Sequence, residues 1–212
     1  MKNLVHLSRR EMLAVAASLG AGSGPLLMMG AARAQGATVQ IGAVLSITGP
    51  GSGLGVAERN GILLAQKNIN AAGGIRGRKL EVIIEDDGSK ADIAKNKAEA
   101  LVFERKVAAL VGGSLTASTG SIAAITNGEK LPQLAITGLG PQIELSYKQL
   151  FHLQPPQSLN AKAMLEYSTK VLKVKKVGVL HDTGYGALVM AQLKSLGAQY
   201  KTEFVSVEKF EV

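Results

Sequence analysis

The stretch that decides the fold runs from Ile41 to Asp87 and reads IGAVLSITGPGSGLGVAERNGILLAQKNINAAGGIRGRKLEVIIEDD. It predicts a buried strand over 39–46, a turn of almost only small residues, a helix over about 58–72 and a second strand over 79–85. The Gly73-Gly74 pair suits the left-handed cap that ends many helices. Strand, helix and strand in this order form a β-α-β unit, in which the first strand-to-helix turn lets a ligand approach the backbone.

Strands and helices continue to alternate after this unit. The pattern predicts a helix over 90–105, a strand over 107–111, a helix over 118–128 and a strand over 133–137. The strands are continuous apolar runs, which indicates a parallel sheet covered on both faces. We therefore expect residues 35–155 to form one α/β lobe.

The character of the sequence changes at 151–156, which ends in Pro155-Pro156. Two prolines continue neither a strand nor a helix, so we interpret this segment as a crossing between lobes. Beyond it the pattern predicts further elements: a helix over 159–172, a strand over 176–181, a helix over 187–196 and a strand over 199–207. Because two strands and two helices make a poor core alone, we expect residues 156–212 to be the start of an incomplete second α/β lobe.

The first 34 residues are typical of an export signal. Arg9 and Arg10 precede 19 residues without charge, and Ala32-Arg33-Ala34 has the small-x-small pattern of a cleavage site, so we expect cleavage after Ala34. The paired arginines and the only moderately apolar stretch favour a twin-arginine signal. A transmembrane anchor is the alternative, because 19 uncharged residues nearly span a bilayer. The four glycines and one proline of the stretch weaken that alternative.

The formal net charge of +8 gives little support for nucleic-acid binding. Four basic residues and one acid of the predicted signal account for +3, which leaves +5 spread along the rest of the chain. The densest basic cluster, at 173–176, is better explained as a solvated loop than as a polyanion site. The chain has no cysteine, which excludes disulfides, thiolate metal sites and a lipid-modified N-terminal cysteine. We expect an untethered periplasmic protein.

The segment 112–119, GGSLTAST, links a predicted strand to a helix start. Free N–H groups at a helix start attract a carboxylate or a phosphate, and the hydroxyls of Thr116, Ser118 and Thr119 add further donors. Simple N-capping by Ser118 or Thr119 is the alternative. From the residues alone we favour capping.

Motifs for catalysis and for nucleotide binding are missing from the sequence. The opening glycines do not fit the dinucleotide pattern, and neither the P-loop nor the Gly-x-Ser-x-Gly pattern occurs. Neither His152 nor His181 has a partner at nucleophile or zinc spacing. Asp86 and Asp87 are better explained as a loop at a strand end than as metal ligands. We therefore expect no catalysis, no metal and no cofactor.

The stretch from Ile41 to Asp87 also resembles the type I periplasmic solute-binding proteins of the leucine/isoleucine/valine-binding kind. The resemblance covers nearly all of the chain after residue 34; it is strong over 41–113 and moderate over 182–186. It implies an α/β fold of two lobes joined by three crossings, with lobe one complete here and lobe two truncated. It also implies the substrate-binding subunit of an ABC importer, in which hinge closure traps a ligand for a permease in the inner membrane.

The resemblance also implies the residues of the binding site. Segment 112–119 matches the loop that grips a ligand carboxylate, and Thr116 stands where the hydroxyl residue is usually Ser. Leu139 and Gly140 match positions that offer backbone groups to the ligand. Pro141 replaces a threonine there and has neither a hydroxyl nor an N–H to donate, which weakens the case for an α-amino-acid ligand.

Two apolar positions complete the predicted site. Tyr185 matches an aromatic residue that closes over the ligand from the second lobe, and an aromatic between two glycines is poorly placed for core packing. Leu54 stands where branched-chain amino-acid binders often carry an aromatic. The predicted ligand-binding set is Leu54, Thr116, Ser118, Thr119, Leu139, Gly140 and Tyr185.

We expect a monomer that binds a small carboxylate with an apolar tail, within the range of branched-chain amino acids, related carboxylates and amides. A periplasmic ligand-sensing module with the same fold is the first alternative. Adjacent permease and ATPase genes would favour import, whereas an adjacent kinase gene would favour sensing. The second alternative is a truncated protein that binds weakly or not at all, because most of its opposing wall is missing.

Overall fold

The computed structural model describes residues 37–211, and the predicted signal peptide and its cleavage site lie outside them. Five strands form a parallel sheet in the order β2-β1-β3-β4-β5. The strands are β1 (Val39–Leu45), β2 (Leu80–Asp86), β3 (Leu110–Gly112), β4 (Gln133–Ala135) and β5 (Leu150–His152). The helices between them are α1 (Ser52–Ala71), α2 (Ala91–Glu99), α3 (Thr116–Gly128) and the short α4 (Pro141–Glu144). The predicted parallel α/β arrangement is confirmed.

The strand order reverses at β1. The chain runs from β1 to β2 on one side and then crosses to β3 on the other side, where Val44 pairs with Gly112. The loops that follow β1 and β3 therefore diverge from neighbouring strand ends and leave a crevice between them. In open α/β sheets this switch point is the place where ligands bind.

The core of this sheet is aliphatic. Its buried cluster combines alanines of α2 with larger side chains from the strands, from α3 and from the segment between α2 and β3; the members are Val44, Ala94, Ala98, Leu101, Val107, Leu110 and Ile122. Ala94 and Ala98 lie one helical turn apart, so α2 presents a smooth face and packs closely. The α2 helix continues into a π-helical turn, Ala100–Glu104, which places Leu101 in the same cluster.

Side chains of α1 cover the free edge of β2. Asn70 donates from Nδ2 to the Leu80 carbonyl (2.8 Å) and accepts from the Leu80 N–H (2.7 Å). One turn earlier, Gln66 accepts the Val82 N–H at 2.6 Å. An exposed strand edge is a template for pairing with other chains, so these two amides satisfy and shield the edge together.

The α1 helix begins at Ser52, six residues before its predicted start. The glycines that suggested an open loop belong instead to the first turns of the helix. A Cβ built on the buried Gly55 would lie 2.1 Å from the carbonyl oxygen of Ser46, a backbone atom that cannot move aside. Glycine is therefore required here for close contact between α1 and the end of β1, not for flexibility.

Two further strands form a separate parallel sheet. They are β6 (Lys176–Asp182) and β7 (Glu203–Phe210), and they accompany α5 (Gln157–Glu166), which runs into the π-helical turn Tyr167–Val171, and α6 (Tyr185–Gly197). Their buried cluster consists of Ala161, Leu165, Met190 and Leu193. Leu180 and Val205 are 70% and 56% exposed, so the described residues cover this sheet incompletely.

The segment 151–156, interpreted from the sequence as a crossing between lobes, still belongs in part to the first sheet. Leu150–His152 is a short edge strand, paired with β4 in a register that places Phe151 beside Leu134. The connection to the second sheet therefore starts only after His152, and Pro155-Pro156 then precede α5. Within residues 37–211, no helix is both long enough and apolar enough to cross a membrane.

Substitution of Gly55 by alanine should destabilise the protein. Because the added methyl group meets the Ser46 backbone, we expect Gly55→Ala to lower the free energy of unfolding by about 2 kcal/mol or more. Gly61 is the matched control, since it lies in the same helix and nothing surrounds its Cβ position within 4 Å. Gly61→Ala should raise stability by about 0.5–1 kcal/mol. Urea denaturation measures both values, and equal effects would contradict the packing argument.

Candidate functional site

A cavity of about 480 Å³ opens at the carboxyl ends of the strands. Residues that follow each of β1, β2, β3, β4, β5 and β6 contribute to its lining, so both sheets face the same space. The volume lies within the range of small-molecule sites. Its position matches the crevice that the strand order leaves beside β1.

The loop between β3 and α3 forms one wall of this cavity. Thr116 lines it, and its Oγ1 atom is buried without a hydrogen-bond partner among the described residues. Ser118 Oγ is likewise buried and unpartnered. Thr119 Oγ1 lies 3.0 Å from the carbonyl oxygens of both Gly113 and Leu115, so its hydroxyl is used within the turn. The α3 helix begins at Thr116 rather than at Ser118, and no side chain caps it.

The turn after β4 contributes Ile136 and Thr137 to the lining, but Leu139 and Gly140 are not among the lining residues. The N–H groups of Leu139 and Gly140 donate to Glu144 Oε1, at 3.0 and 3.3 Å. Glu144 lies in the first turn of α4, and an acid at this place commonly reaches back to N–H groups that precede its helix. The backbone groups that were expected to face a ligand therefore bond to Glu144.

The end of β6 forms the opposite wall. Asp182 accepts hydrogen bonds from the N–H groups of Gly184 (2.6 Å) and Gly186 (3.0 Å), which fixes the turn into α6. Tyr185, the first residue of α6, lines the cavity. Its hydroxyl accepts a hydrogen bond from Asn160 Nδ2 at 2.8 Å. A hydrogen bond from α5 thus helps to orient the tyrosine.

The two walls approach each other closely. A Cβ on Gly184 would lie 3.8 Å from Thr116 Oγ1, so only a small residue fits opposite that hydroxyl without narrowing the gap. Leu54, Thr116 and Tyr185 line the one cavity. The remaining predicted residues are not among its lining residues in the described part of the chain; they are Ser118, Thr119, Leu139 and Gly140. The ligand-binding roles of all seven stay predictions.

Glu58 is a lining residue that the sequence did not reveal. It is half-buried on α1, one turn after Leu54, and its carboxylate accepts a hydrogen bond from the Ser114 hydroxyl. The Ser114 oxygen in turn accepts the Ser46 N–H at 3.0 Å. Burial raises the pKa of Glu58, the Ser114 bond opposes this rise, and the nearby charge of Asp87 adds to it. A helix predicted to start at Ser52 would have placed Leu54 and Glu58 on one face.

Asp86 organises the turn that follows β1. It accepts hydrogen bonds from the N–H groups of Ile47 (2.9 Å), Thr48 (3.1 Å) and Gly88 (2.9 Å) and from the Thr48 hydroxyl (2.7 Å). Although burial opposes it, these bonds lower the pKa of Asp86, with the Thr48 hydroxyl the strongest of them. Asp86 is therefore a loop-fixing residue. Across residues 37–211, no group of three or more His, Cys, Asp or Glu side chains could hold a metal ion.

Replacement of Asp86 by asparagine should loosen this turn. We expect Asp86→Asn to lower the free energy of unfolding at neutral pH by about 1 kcal/mol, a modest value because the site is partly exposed. The lowered pKa gives stability that is fully present above the unfolded-state pKa of about 3.9 and is lost as pH falls through the folded-state pKa. Urea denaturation at several pH values should show the wild type converging on the variant in acid. The exposed Glu104→Gln is the control, and a difference that stays constant with pH would refute the charge argument.

The sequence matches a protein family and individual members of it. The family model described as periplasmic binding protein matches residues 38–211. An amino acid binding protein of Pseudomonas aeruginosa is 32% identical over 177 residues, which is 77% of this chain and 45% of that protein. The Leu/Ile/Val-binding protein homolog 3 of Brucella melitensis is 28% identical over 160 residues, 74% of this chain and 43% of the relative. The chain spans less than half the length of these curated relatives.

A solved structure shows the same fold. It is the branched-chain amino acid transporter substrate binding protein LivJ of Streptococcus pneumoniae, in complex with isoleucine. It superposes with a TM-score of 0.73 at 29% identity, over 82% of this chain and 50% of that one. The arrangement of strands and helices described above is therefore a type I periplasmic binding protein fold, matched over half of its neighbour.

Proposed function

This chain belongs to the periplasmic binding protein family, and on that basis we propose that it serves as solute-binding component of an ABC importer. The proposed solutes are branched-chain amino acids or related small carboxylates and amides. Binding rather than catalysis is favoured because the relatives it matches carry the names of binding proteins. Since the chain spans half or less of the length of those relatives, the activity of the whole protein is part of the proposal.

The observation that carries the proposal is the unpartnered hydroxyl of Thr116 in a cavity at the switch point of the sheet. A buried hydroxyl without a partner costs free energy, and a ligand carboxylate would remove that cost. The uncapped N-terminus of α3 adds N–H groups and the positive end of the helix dipole at the same place. An anionic group of the ligand would therefore bind here.

Apolar side chains provide the rest of the proposed binding mode. Leu54 and Ile136 line the cavity on the side of the five-stranded sheet, and Tyr185 lines it on the side of the two-stranded sheet. An aliphatic ligand tail placed between them would be removed from water by both walls. Because such a ligand contacts both sheets, its binding would favour a closed arrangement, and hinge closure would present that form to a permease.

Ligand titrations followed by NMR test this function, because they detect even millimolar affinities. We expect shifts with L-leucine or L-isoleucine and none with maltose or calcium chloride. Thr116→Ala should weaken amino-acid binding about tenfold, since it removes a hydrogen bond to a charged group.

The matched control for this test is Ser121→Ala. Ser121 lies on the same helix, and its hydroxyl bonds only to the Ala117 carbonyl at the surface (3.1 Å). We expect it to bind like the wild type. Binding of sugars or cations alone, or equal affinities of Thr116→Ala and Ser121→Ala, would refute the proposed site.

A further inference from the structure

We propose that Glu58 determines specificity in this cavity by accepting the cationic amino group of the ligand. The site would then select amino acids and amines over plain carboxylates of the same shape. The inference rests on the proposed function and adds a residue on α1, outside the set that the sequence predicted. It follows from the charges of the side chains that line the cavity and from the hydrogen bonds of Glu58 and Asp182.

The charge of the lining is entirely negative. Glu58 and Asp182 both contribute to it, and among its described residues there is no lysine, arginine or histidine. The two acids differ in their free acceptor capacity. Asp182 uses one oxygen for the Gly184 N–H and the other for the Gly186 N–H. Glu58 Oε2 accepts from the Ser114 hydroxyl, whereas Oε1 has no hydrogen-bond partner within the described chain. Glu58 is therefore the acid of the lining that has one oxygen without any hydrogen-bond partner to offer a ligand.

A ligand that carries only a carboxylate would meet unfavourable electrostatics here. The N-terminus of α3 offers roughly half a positive charge, while Glu58 brings a full negative charge to the same cavity. An ammonium group on the ligand would compensate that charge through a short charge-assisted hydrogen bond. A molecule with both groups on neighbouring atoms would satisfy the helix terminus and the acid together.

Glu58 is held in place by the floor of the cavity. The Ser114 hydroxyl that donates to it accepts the N–H of Ser46, and both serines are buried. Burial raises the pKa of Glu58, Ser114 opposes the rise, and Asp87 increases it. In the protein without ligand, the charged form of Glu58 is thus less favoured than that of an exposed glutamate. A ligand cation supplies one, so binding and ionisation of Glu58 favour each other.

Three probes with the leucine skeleton test the assignment. L-Leucine has both charged groups, 4-methylpentanoate lacks the amino group, and 3-methylbutan-1-amine lacks the carboxylate. We expect the wild type to bind L-leucine about tenfold or more tightly than 4-methylpentanoate in NMR titrations at neutral pH. Glu58→Gln should lose most of this preference, because it binds L-leucine and the amine more weakly and 4-methylpentanoate at least as well. The exposed Glu129→Gln is the matched control and should retain the preference.

A pH titration of the wild type gives a second measurement that does not depend on the folding of a variant. The amine keeps its charge in neutral and acidic solution, so only the protein titrates. Its affinity should fall as pH decreases and Glu58 becomes protonated, beginning at a higher pH than for an exposed glutamate. Asp87, from the loop after β2, is the nearby charge that acts on Glu58, and Asp182, the last residue of β6, is the other acid of the cavity lining. The exposed Glu129→Gln should keep this pH dependence, and Glu58→Gln should remove it.

The outcomes separate this inference from the proposed function. Equal affinity of the wild type for L-leucine and 4-methylpentanoate, or a preference that persists in Glu58→Gln, overturns the role of Glu58 and leaves the binding function intact. Loss of the preference in Asp182→Asn alone would assign the amino group to the other wall and also overturn it. Failure of all three probes to bind the wild type overturns the role of Glu58 together with the proposed binding of leucine-like solutes.

Discussion

The contact between the backbones of α1 and β1 sets the geometry of the whole site. Gly55 rests on the Ser46 carbonyl so closely that no side chain fits between them. This contact fixes the height and rotation of α1 relative to the sheet, and with them the places of Leu54 and Glu58. It also holds Ser46 beside the next loop, where its N–H bonds to Ser114. The position of one glycine thus determines which side chains face the crevice beside β1.

Acidic side chains hold the loops around this crevice. Asp86 accepts the N–H groups of the turn after β1, Glu144 accepts those of the turn after β4, and Asp182 accepts those of the turn after β6. Turns at strand ends leave N–H groups without sheet partners, and carboxylates satisfy several of them at once. Glu58 differs, because its partner is one hydroxyl and its second oxygen has none. That difference separates a residue that can receive a ligand from residues that shape the loops.

The sequence predicted the fold well because hydrophobic runs and glycine pairs report strands and helix ends directly. The parallel sheet and its β-α-β opening follow that pattern, whereas the expectation for Leu54, Thr116 and Tyr185, which the structure places on one cavity, came from the family resemblance. The start of α1 was predicted wrongly because glycine serves both loops and close packing, and the sequence does not distinguish these uses. That error also concealed Glu58, which lies one turn after Leu54 only when the helix begins at Ser52. The bonds from Glu144 to Leu139 and Gly140 depend on the path of α4, which local patterns do not reveal.

The two walls of the cavity differ in how firmly the described residues support them. The loops after β1 and β3 stand on a sheet with a closed aliphatic cluster, whereas the loop after β6 stands on two strands that leave Leu180 and Val205 exposed. A binding site needs polar groups that are held rigidly before the ligand arrives, since ordering them on binding reduces affinity. In the proposed binding mode both polar contacts, from Thr116 and Glu58, lie on the firmly supported wall. The wall that carries Tyr185 then contributes mainly apolar coverage, which tolerates small shifts better than a hydrogen bond does. The five-stranded sheet would thus recognise the polar groups of the ligand, and the two-stranded sheet would close over it.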